Sequence, residues 1–182
     1  MNIVGGKYRG KKLNTPKDMS VRPTLERTRE ALFNILYSKI GDIKDFDVAD
    51  IFAGTGAFGL EALSRGAKSV TFADKDIALI AKNAALFTAE KEKIKIIKTD
   101  ATNLPLSLKP FDLVFCDAPY EKGLTLPAVE SLVQKKWLKD GALCLIETGK
   151  SETLNLPEAF EQIDERIYGA AKIRFFIFHT YF

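Results

Sequence analysis

Cysteine and histidine are scarce in this chain, which has two cysteines and one histidine among 182 residues. Cys116 and Cys144 each stand within an apolar run, and His179 lies in a hydrophobic segment near the end of the chain. This small number of cysteines and histidines excludes a disulfide framework, and their spacing is not typical of a zinc site. We therefore interpret the thiols as reduced core residues and the histidine as structural, and we expect no metal site.

Long apolar runs are also missing, since none approaches the roughly 18 residues that a membrane span needs. Residues 1–7, MNIVGGK, contain no hydrophobic region of the kind found in signal peptides. Neither repeats nor low-complexity tracts interrupt a composition of 46% hydrophobic and 28% charged residues, which is typical of a folded domain. These features predict a single cytoplasmic domain without membrane attachment.

The positive charge of the chain is concentrated near the amino terminus. The whole chain has a net charge of +3, but residues 1–39 contain nine basic and three acidic residues, a net +6, so the remaining 143 residues sum to −3. Such segregation favours a polyanionic partner docking at one end, although a solvated arm would give the same pattern. The basic residues predicted to contact phosphates are Lys7, Arg9, Lys11, Lys12, Arg22 and Arg27.

The first residues of the chain predict a small β-hairpin. Ile3-Val4 and the segment 11–13 flank a glycine-containing turn and could pair across it. We expect residues 1–22 to form a basic arm built on this hairpin. Pro23 suits the first turn of a helix, so residues 23–182 are expected to form the main domain.

Strands and helices alternate between residues 48 and 148, which predicts a parallel sheet covered by helices on both faces. The last two strands follow one another with only a short turn, so we expect them to be antiparallel. Such an antiparallel end is unusual for a nicotinamide-binding Rossmann domain. The predicted strands are 48–52, 69–74, 93–100, 111–117, 141–148, 160–168 and 172–182, and the predicted helices are 23–37, 59–65, 76–90 and 126–137.

A glycine-rich loop follows the first of these strands. Gly54, Gly56 and Gly59 match G-x-G-x-x-G between a strand and a helix, and Asp74 ends the next strand about 20 residues on. Glycines allow a ligand to approach the backbone, and a carboxylate at that distance accepts hydrogen bonds from ribose hydroxyls. The pattern fits NAD and S-adenosylmethionine alike, and a plain strand–helix turn would also need glycines.

Two carboxylates favour S-adenosylmethionine as the cofactor. Asp50 stands four residues before Gly54 and would attract a cationic amino-acid group but repel a pyrophosphate. Asp100 ends the third strand, where it could accept a hydrogen bond from the adenine amine or cap the following turn. The predicted cofactor contacts are Asp50, Phe52, Gly54, Gly56, Phe58, Asp74, Lys75, Asp100 and Ala101.

The strongest chemical signal is the sequence Asp117-Ala118-Pro119-Tyr120 after an apolar strand. In open α/β sheets, ligands bind at this carboxyl edge. The Asp117 carboxylate and a backbone carbonyl fixed by Pro119 can accept two hydrogen bonds from an exocyclic amine, and Tyr120 can stack on the ring that carries it. We predict that these three residues orient an amine for in-line attack on a methyl-sulfonium.

Several stretches of the chain resemble the bacterial ribosomal RNA small-subunit (guanine-N2)-methyltransferase D family, over essentially the whole length. Residues 3–13, IVGGKYRGKKL, and the segment from Arg22-Pro23-Thr24 to Asn34 are similar to the family's amino-terminal hairpin and first helix. Residues 50–67, DIFAGTGAFGLEALSRGA, closely resemble its cofactor loop. These stretches are much more specific than three spaced glycines.

The resemblance implies a Rossmann-like class I methyltransferase fold with strand order 3-2-1-4-5-7-6, strand 7 antiparallel, and an amino-terminal β-hairpin. It also implies methyl transfer from S-adenosylmethionine to the N2 amine of a guanine in 16S ribosomal RNA, free or within the small subunit. We expect the protein to be a monomer. The family's usual motif is Asp-Pro-Pro-Tyr or Asp-Pro-Pro-Phe, whereas this chain has Ala118 at the first proline. That change loosens the turn, so the resemblance defines the reaction type better than the substrate.

Three other functions remain open from the sequence. An NAD-dependent oxidoreductase would explain the glycine loop and Asp74, but neither Asp117-Ala-Pro-Tyr120 nor the basic arm. An RNA-binding module with a degenerate cofactor site is disfavoured by the intact loop from Asp50 to Gly59. A DNA adenine methyltransferase can use a similar acceptor motif, but this chain has little room for a separate target-recognition domain.

Overall fold

The structure is a computed structural model that describes residues 1–16 and 23–180. Its helices are α1 (Pro23–Ile40), α2 (Ala57–Ser64), α3 (Ala78–Ala84) and α4 (Thr125–Gln134). Its strands are β1 (Asp47–Ile51), β2 (Ser69–Asp74), β3 (Ile94–Lys98), β4 (Phe111–Asp117), β5 (Leu138–Gly149), β6 (Phe160–Tyr168) and β7 (Ala171–Phe178). Two short 3₁₀ turns, Thr88–Lys93 and Ala101–Asn103, precede and follow β3.

All seven strands form one sheet in the order β3-β2-β1-β4-β5-β7-β6. The first five strands pair in parallel, while β7 pairs antiparallel with both β5 and β6. This arrangement confirms the predicted sheet order and the antiparallel seventh strand. The strand order reverses at β1, because the chain adds β2 and β3 on one side of β1 and β4 on the other. In such sheets, ligands bind at the carboxyl ends of the two strands where the order reverses, here β1 and β4.

Two hydrophobic cores cover the two faces of the sheet. Alternate residues of β4 point to opposite faces: Leu113 and Phe115 belong to one core, and Val114 and Cys116 belong to the other. Helices α1, α2 and α3 cover the first core, and α4 covers the second. Because both faces are buried, the central strands are near-continuous apolar runs, as the sequence showed.

The amino-terminal β-hairpin is not formed, so that prediction is wrong. Residues 1–13 fold back on themselves, but a single antiparallel bridge joins Asn2 and Lys12 and neither side is a strand. Three backbone hydrogen bonds cross this fold, from the N–H groups of Ile3, Gly10 and Leu13 to the carbonyls of Lys11, Ile3 and Met1, but other N–H groups of the segment donate to α2. The N–H groups of Val4 and Gly5 donate to the Glu61 carboxylate on α2, and that of Lys7 donates to the Ser64 carbonyl. These bonds replace the ladder of a hairpin and hold the segment against the domain.

The third helix is shorter than the predicted 76–90. It ends at Ala84, and the N–H groups of Leu86 and Phe87 donate to carbonyls only three residues back, which tightens the backbone. Asn83 is fully buried in the last turn, where its amide bonds Asn14 and the Thr55 carbonyl of the glycine loop.

The end of the predicted last strand, 181–182, lies outside the described residues, as does Arg22. Among residues 1–16 and 23–180, none of the helices has the length and hydrophobicity that a membrane span requires.

Candidate active site

A cavity of about 690 Å³ opens at the carboxyl ends of β1, β2 and β4. Its wall includes the carboxylates of Asp50, Asp74, Asp117 and Glu147, together with backbone of the glycine loop. Apolar side chains from α1, α2 and β4 complete it, and its volume is within the usual range for small-molecule sites. The cavity therefore brings the predicted cofactor loop and the predicted acceptor motif together.

The glycine loop is held from below by Asp74. One carboxylate oxygen of Asp74 accepts the Gly54 N–H at 2.9 Å, and the other accepts the Asp76 N–H at 2.9 Å. Gly54 has a φ of +53°, and a Cβ there would meet only the Phe52 carbonyl oxygen, 4.0 Å away, so the backbone at this residue is accessible to a ligand. Gly59 has a different role, because a Cβ there would clash with the Phe72 ring and with Val70, so the absence of a side chain lets α2 pack on β2.

Asp50 lies beneath the first turn of α2. Its side chain is buried and accepts the Gly59 N–H at 2.9 Å. Burial raises its pKa to about 7, the Gly59 hydrogen bond opposes that rise, and the nearby Asp74 charge adds to it. A cation brought to this part of the cavity would stabilise the ionised form of Asp50.

Three stacked phenylalanines support the cavity from the α1 side. Phe58 stacks on Phe115 with ring centroids 4.1 Å apart and on Phe33 with centroids 4.9 Å apart. Phe58 and Phe115 both belong to the cavity wall. Phe52 also lines the cavity and has a φ of +58°, a strained conformation for a residue with a side chain.

Four predicted cofactor residues lie outside the cavity wall. Lys75 pairs with Asp100 at 2.8 Å, and Asp100 also accepts the N–H and hydroxyl of Thr102, which caps the 3₁₀ turn. These partners, Lys75 first, lower the pKa of Asp100 to about 2. Ala101 is buried beneath them, and Gly56, which opens α2, is likewise not part of the wall.

Two carboxylates stand side by side at the acceptor end of the cavity. Asp117 ends β4 and is the register partner of Glu147 on β5. The Tyr120 hydroxyl donates to the Glu147 carboxylate. Burial raises the pKa of Asp117, and the neighbouring Glu147 charge raises it further. Burial also raises the pKa of Glu147, although the hydrogen bond from Tyr120 opposes that rise. Burial and the bond to Glu147 raise the pKa of Tyr120, which keeps its proton.

Sequence reasoning missed Glu147, although the signal that identified Asp117 also applied to it. Both are acidic residues at the end of a buried strand, and parallel neighbours end at the same edge of a sheet. Ala118 is buried behind Asp117, whereas Pro119 is exposed and lies outside the cavity wall.

The predicted phosphate-binding residues fall into two groups. Lys7 pairs with Glu90 at 2.7 Å, and Lys11 bonds the Leu86 carbonyl and lies over Tyr8, so both help to hold the amino-terminal segment. Arg9, Lys12 and Arg27 are exposed, with no ion pair to any described residue. Arg29, counted in the charge excess, is buried in an ion pair with Glu61. Within the described ranges, no group of three or more metal-ligating side chains could hold a metal ion.

Comparison with known proteins agrees with this geometry. The family described as conserved hypothetical protein 95 matches residues 1–177. A ribosomal RNA small subunit methyltransferase D from Haemophilus influenzae is 34% identical, covering 97% of this chain and 93% of the relative. Its counterpart from Escherichia coli K12 is also 34% identical, covering 97% and 89%. The chain belongs to this methyltransferase D family.

Solved structures extend the same relationship to the fold. The yhhF structure from Escherichia coli has a TM-score of 0.84 and 32% identity, with 98% of each chain covered. The N-methyltransferase NodS from Bradyrhizobium japonicum has a TM-score of 0.66 at 15% identity, over 88% of this chain and 99% of the other, and shows the fold alone. The protein is thus a methyltransferase with a class I fold.

Membership in the methyltransferase D family implies S-adenosylmethionine as methyl donor, and the cavity fits such a molecule. Its volume suffices for one, and Gly54 lines the cavity without a side chain that would block close approach. The carboxylates of Asp50 and Asp74 suit a ligand that carries an ammonium group and ribose hydroxyls.

Proposed function

We propose that this protein transfers a methyl group from S-adenosylmethionine to the exocyclic N2 amine of a guanine in 16S ribosomal RNA. Two relatives that are 34% identical over nearly the whole chain are named for small-subunit ribosomal RNA, which supports this substrate. A third, from Bacillus subtilis, is 30% identical and is also named for ribosomal RNA. The observation that carries the proposal is the Asp117 carboxylate facing the cavity that the glycine loop lines.

The cofactor end of the cavity is assigned to three residues. Asp74 accepts hydrogen bonds from the ribose hydroxyls, and the Gly54 backbone lies against the adenosine. Asp50 attracts the ammonium group, which favours its ionised form. S-adenosylmethionine, when bound, supplies an electrophilic methyl group. Lys75, Asp100 and Ala101 stand beside this end as candidates for adenine contact, Asp100 already serving as a cap.

The acceptor end depends on Asp117. Its carboxylate accepts a hydrogen bond from the guanine N2 amine and holds the nitrogen with its lone pair toward the methyl group. As the N–C bond formed and the methyl–sulfur bond of the donor broke, leaving a neutral thioether, positive charge would pass from sulfur to N2, where the half-buried carboxylate would stabilise it. Asp117 then takes the proton that N2 loses. Tyr120, half-exposed at the rim and held by Glu147, stacks on the base, and the turn fixed by Pro119 aims a carbonyl at the amine.

RNA docking is assigned to the exposed cations of the amino-terminal region. Arg9, Lys12 and Arg27 have no protein partner among the described residues and are therefore available for phosphates. Lys7 and Lys11 contribute less, because their ammonium groups are already engaged.

Mass spectrometry of ribosomal RNA nucleosides tests this function. RNA from cells with and without the gene would be digested, and N2-methylguanosine quantified in 16S RNA. The purified protein would then be supplied with labelled S-adenosylmethionine and either free 16S RNA or small subunits from the deletion strain. We expect one guanine to lose its methyl group in the deletion strain and to regain it in vitro. Equal N2-methylguanosine in both strains would exclude the function.

A further inference from the structure

The acceptor end of the cavity holds two carboxylates. The proposed methyl transfer to one amine requires only one of them. Asp117 and Glu147 are direct register partners on adjacent parallel strands, so their backbones lie about 4.8 Å apart. Both side chains line the cavity. Two half-buried anions side by side are costly, because each raises the free energy needed to ionise the other. A pair of adjacent hydrogen-bond donors on the substrate would offset that cost.

Glu147 is also oriented. Its Oε1 accepts the Tyr120 hydroxyl, and no described residue donates to its Oε2. Tyr120 keeps its proton, since burial and Glu147 itself both raise the pKa of its hydroxyl. One oxygen of Glu147 is therefore fixed by the protein, and the other is an acceptor left for a ligand.

Guanine presents the donor pair that this arrangement would match. Its N2 amine and its ring N1–H lie next to each other on one edge. Adenine has an acceptor at ring N1 beside its exocyclic amine, and so does 2,6-diaminopurine beside its own 2-amine. We propose that Glu147 is a specificity-determining residue that accepts the ring N1–H of guanine while Asp117 holds the adjacent N2 amine. This inference rests on the proposed function and adds the group that selects the base.

Tyr120 makes the role of Glu147 testable by a single isosteric change. In Glu147→Gln, the Tyr120 hydroxyl would still donate to the amide oxygen, which turns the NH₂ group toward the base. The acceptor for N1–H is then replaced by a donor. Guanine would meet a donor facing its N1–H, and 2,6-diaminopurine would gain a partner for its N1 lone pair. The preference between the two bases should therefore fall or invert, which a merely structural role of Glu147 would not produce.

The experiment compares two substrates that differ at the target base. 16S RNA carrying either guanine or 2,6-diaminopurine at the mapped position is prepared by splinted ligation, and the form that proved active, free or reconstituted, is used. Single-turnover rates at saturating S-adenosylmethionine give one rate ratio per protein. The wild type, Glu147→Gln and the control Glu130→Gln, an exposed carboxylate on α4, are compared. A ratio from one preparation is independent of the folded fraction.

We expect the wild type and Glu130→Gln to prefer guanine by about tenfold or more, the usual discrimination of a good base contact. Glu147→Gln should lose that preference or reverse it. An unchanged ratio in Glu147→Gln would overturn the inference and leave the proposed function standing. A wild type that methylates neither substrate would overturn both. Should Glu147→Gln fail to fold in a thermal melt, Glu147→Ala is measured in the same way, and a retained guanine preference there overturns the inference.

Discussion

Three carboxyl groups at the cavity, those of Asp50, Asp117 and Glu147, have pKa values raised above the ordinary range by burial. Each raised pKa means that the folded protein holds a proton more tightly than the unfolded chain does. Stability therefore falls as pH rises from the unfolded pKa, roughly 4, through the folded one. These groups therefore lower the stability of the folded protein near neutral pH, and clusters of perturbed pKa values are typical of functional sites.

Asp50 gives the clearest pH-dependent prediction, because its folded pKa is about 7. In Asp50→Asn the Gly59 N–H keeps an acceptor, but no proton is lost between pH 5 and pH 8. We expect the free energy of unfolding of the variant, relative to the wild type, to rise by roughly 1–3 kcal/mol over that interval. Urea denaturation at both pH values measures this. A difference that stays constant with pH would mean that Asp50 does not titrate in this range.

Asp74 is expected to contribute to cofactor affinity. Asp74→Ala should weaken S-adenosylmethionine binding by roughly 1.5–3 kcal/mol, the range for a charge-assisted hydrogen bond. The free energy of unfolding should change little, because the Gly54 and Asp76 N–H groups that donate to Asp74 are exposed and can bond water instead. Calorimetric titration is the measurement, with exposed Asp42→Ala as its control. Equal affinity in the two variants would remove Asp74 from the site.

Residues that follow buried strands could be predicted from the sequence, and residues whose partners are distant could not. Asp74 and Asp117 were identified because a strand end defines a position at the sheet edge. Glu61 reads as an ordinary polar residue of an amphipathic helix, yet it is fully buried beside Arg29 and Arg65. Those partners become visible only when the chain is folded.

At the scale of elements, the amino-terminal segment depends on α2. The Glu61 carboxylate accepts two backbone N–H groups of that segment and pairs with Arg29 of α1 at 3.2 Å. The hairpin prediction was wrong for this reason, since local turn residues cannot reveal an acceptor more than 50 residues away. Likewise α3 ends early where Asn83 turns inward to bond Asn14 and Thr55.

Removing the Glu61 carboxylate should destabilise the whole domain. Glu61→Ala leaves the Arg29 guanidinium buried without its partner and two N–H groups without acceptors. We expect a loss of about 3–5 kcal/mol in the free energy of unfolding, as for other broken buried ion pairs. Urea denaturation of Glu61→Ala and of the exposed Glu30→Ala on α1 would be compared. A loss below about 1 kcal/mol would show that this network does not hold the segment.

At the scale of the molecule, the alternation of strands and helices predicted a parallel sheet, and the family resemblance supplied its strand order. The central strands are unambiguous, because they are buried on both faces and bounded by turns. The distribution of usable charge was less predictable: the net +6 of residues 1–39 includes Arg29, which is buried, and Lys7, which pairs with Glu90. The sequence gives the number of charged residues, but only the folded structure shows which of them form ion pairs within the protein.

The salt dependence of RNA binding tests the remaining cations. Replacing Arg9, Lys12 and Arg27 together by glutamine should reduce the slope of log affinity against log salt by about 2–3, because each phosphate contact contributes about 0.7–0.9. S-adenosylmethionine affinity should be unchanged. The control replaces three other exposed lysines, Lys44, Lys95 and Lys136, and should keep the wild-type slope. Identical slopes for both triple variants would place RNA docking elsewhere.

The central claim is that the Asp117 carboxylate stabilises the charge that forms on the acceptor amine. Single-turnover methyl transfer by Asp117→Asn, beside exposed Asp42→Asn, tests it most directly. We expect a rate lower by on the order of 100-fold or more, because the isosteric amide has no charge to oppose the developing cation. S-adenosylmethionine affinity should stay at the wild-type value, and the melting temperature should not fall. A near wild-type rate from folded Asp117→Asn would show that the Asp117 charge has no part in the methyl transfer.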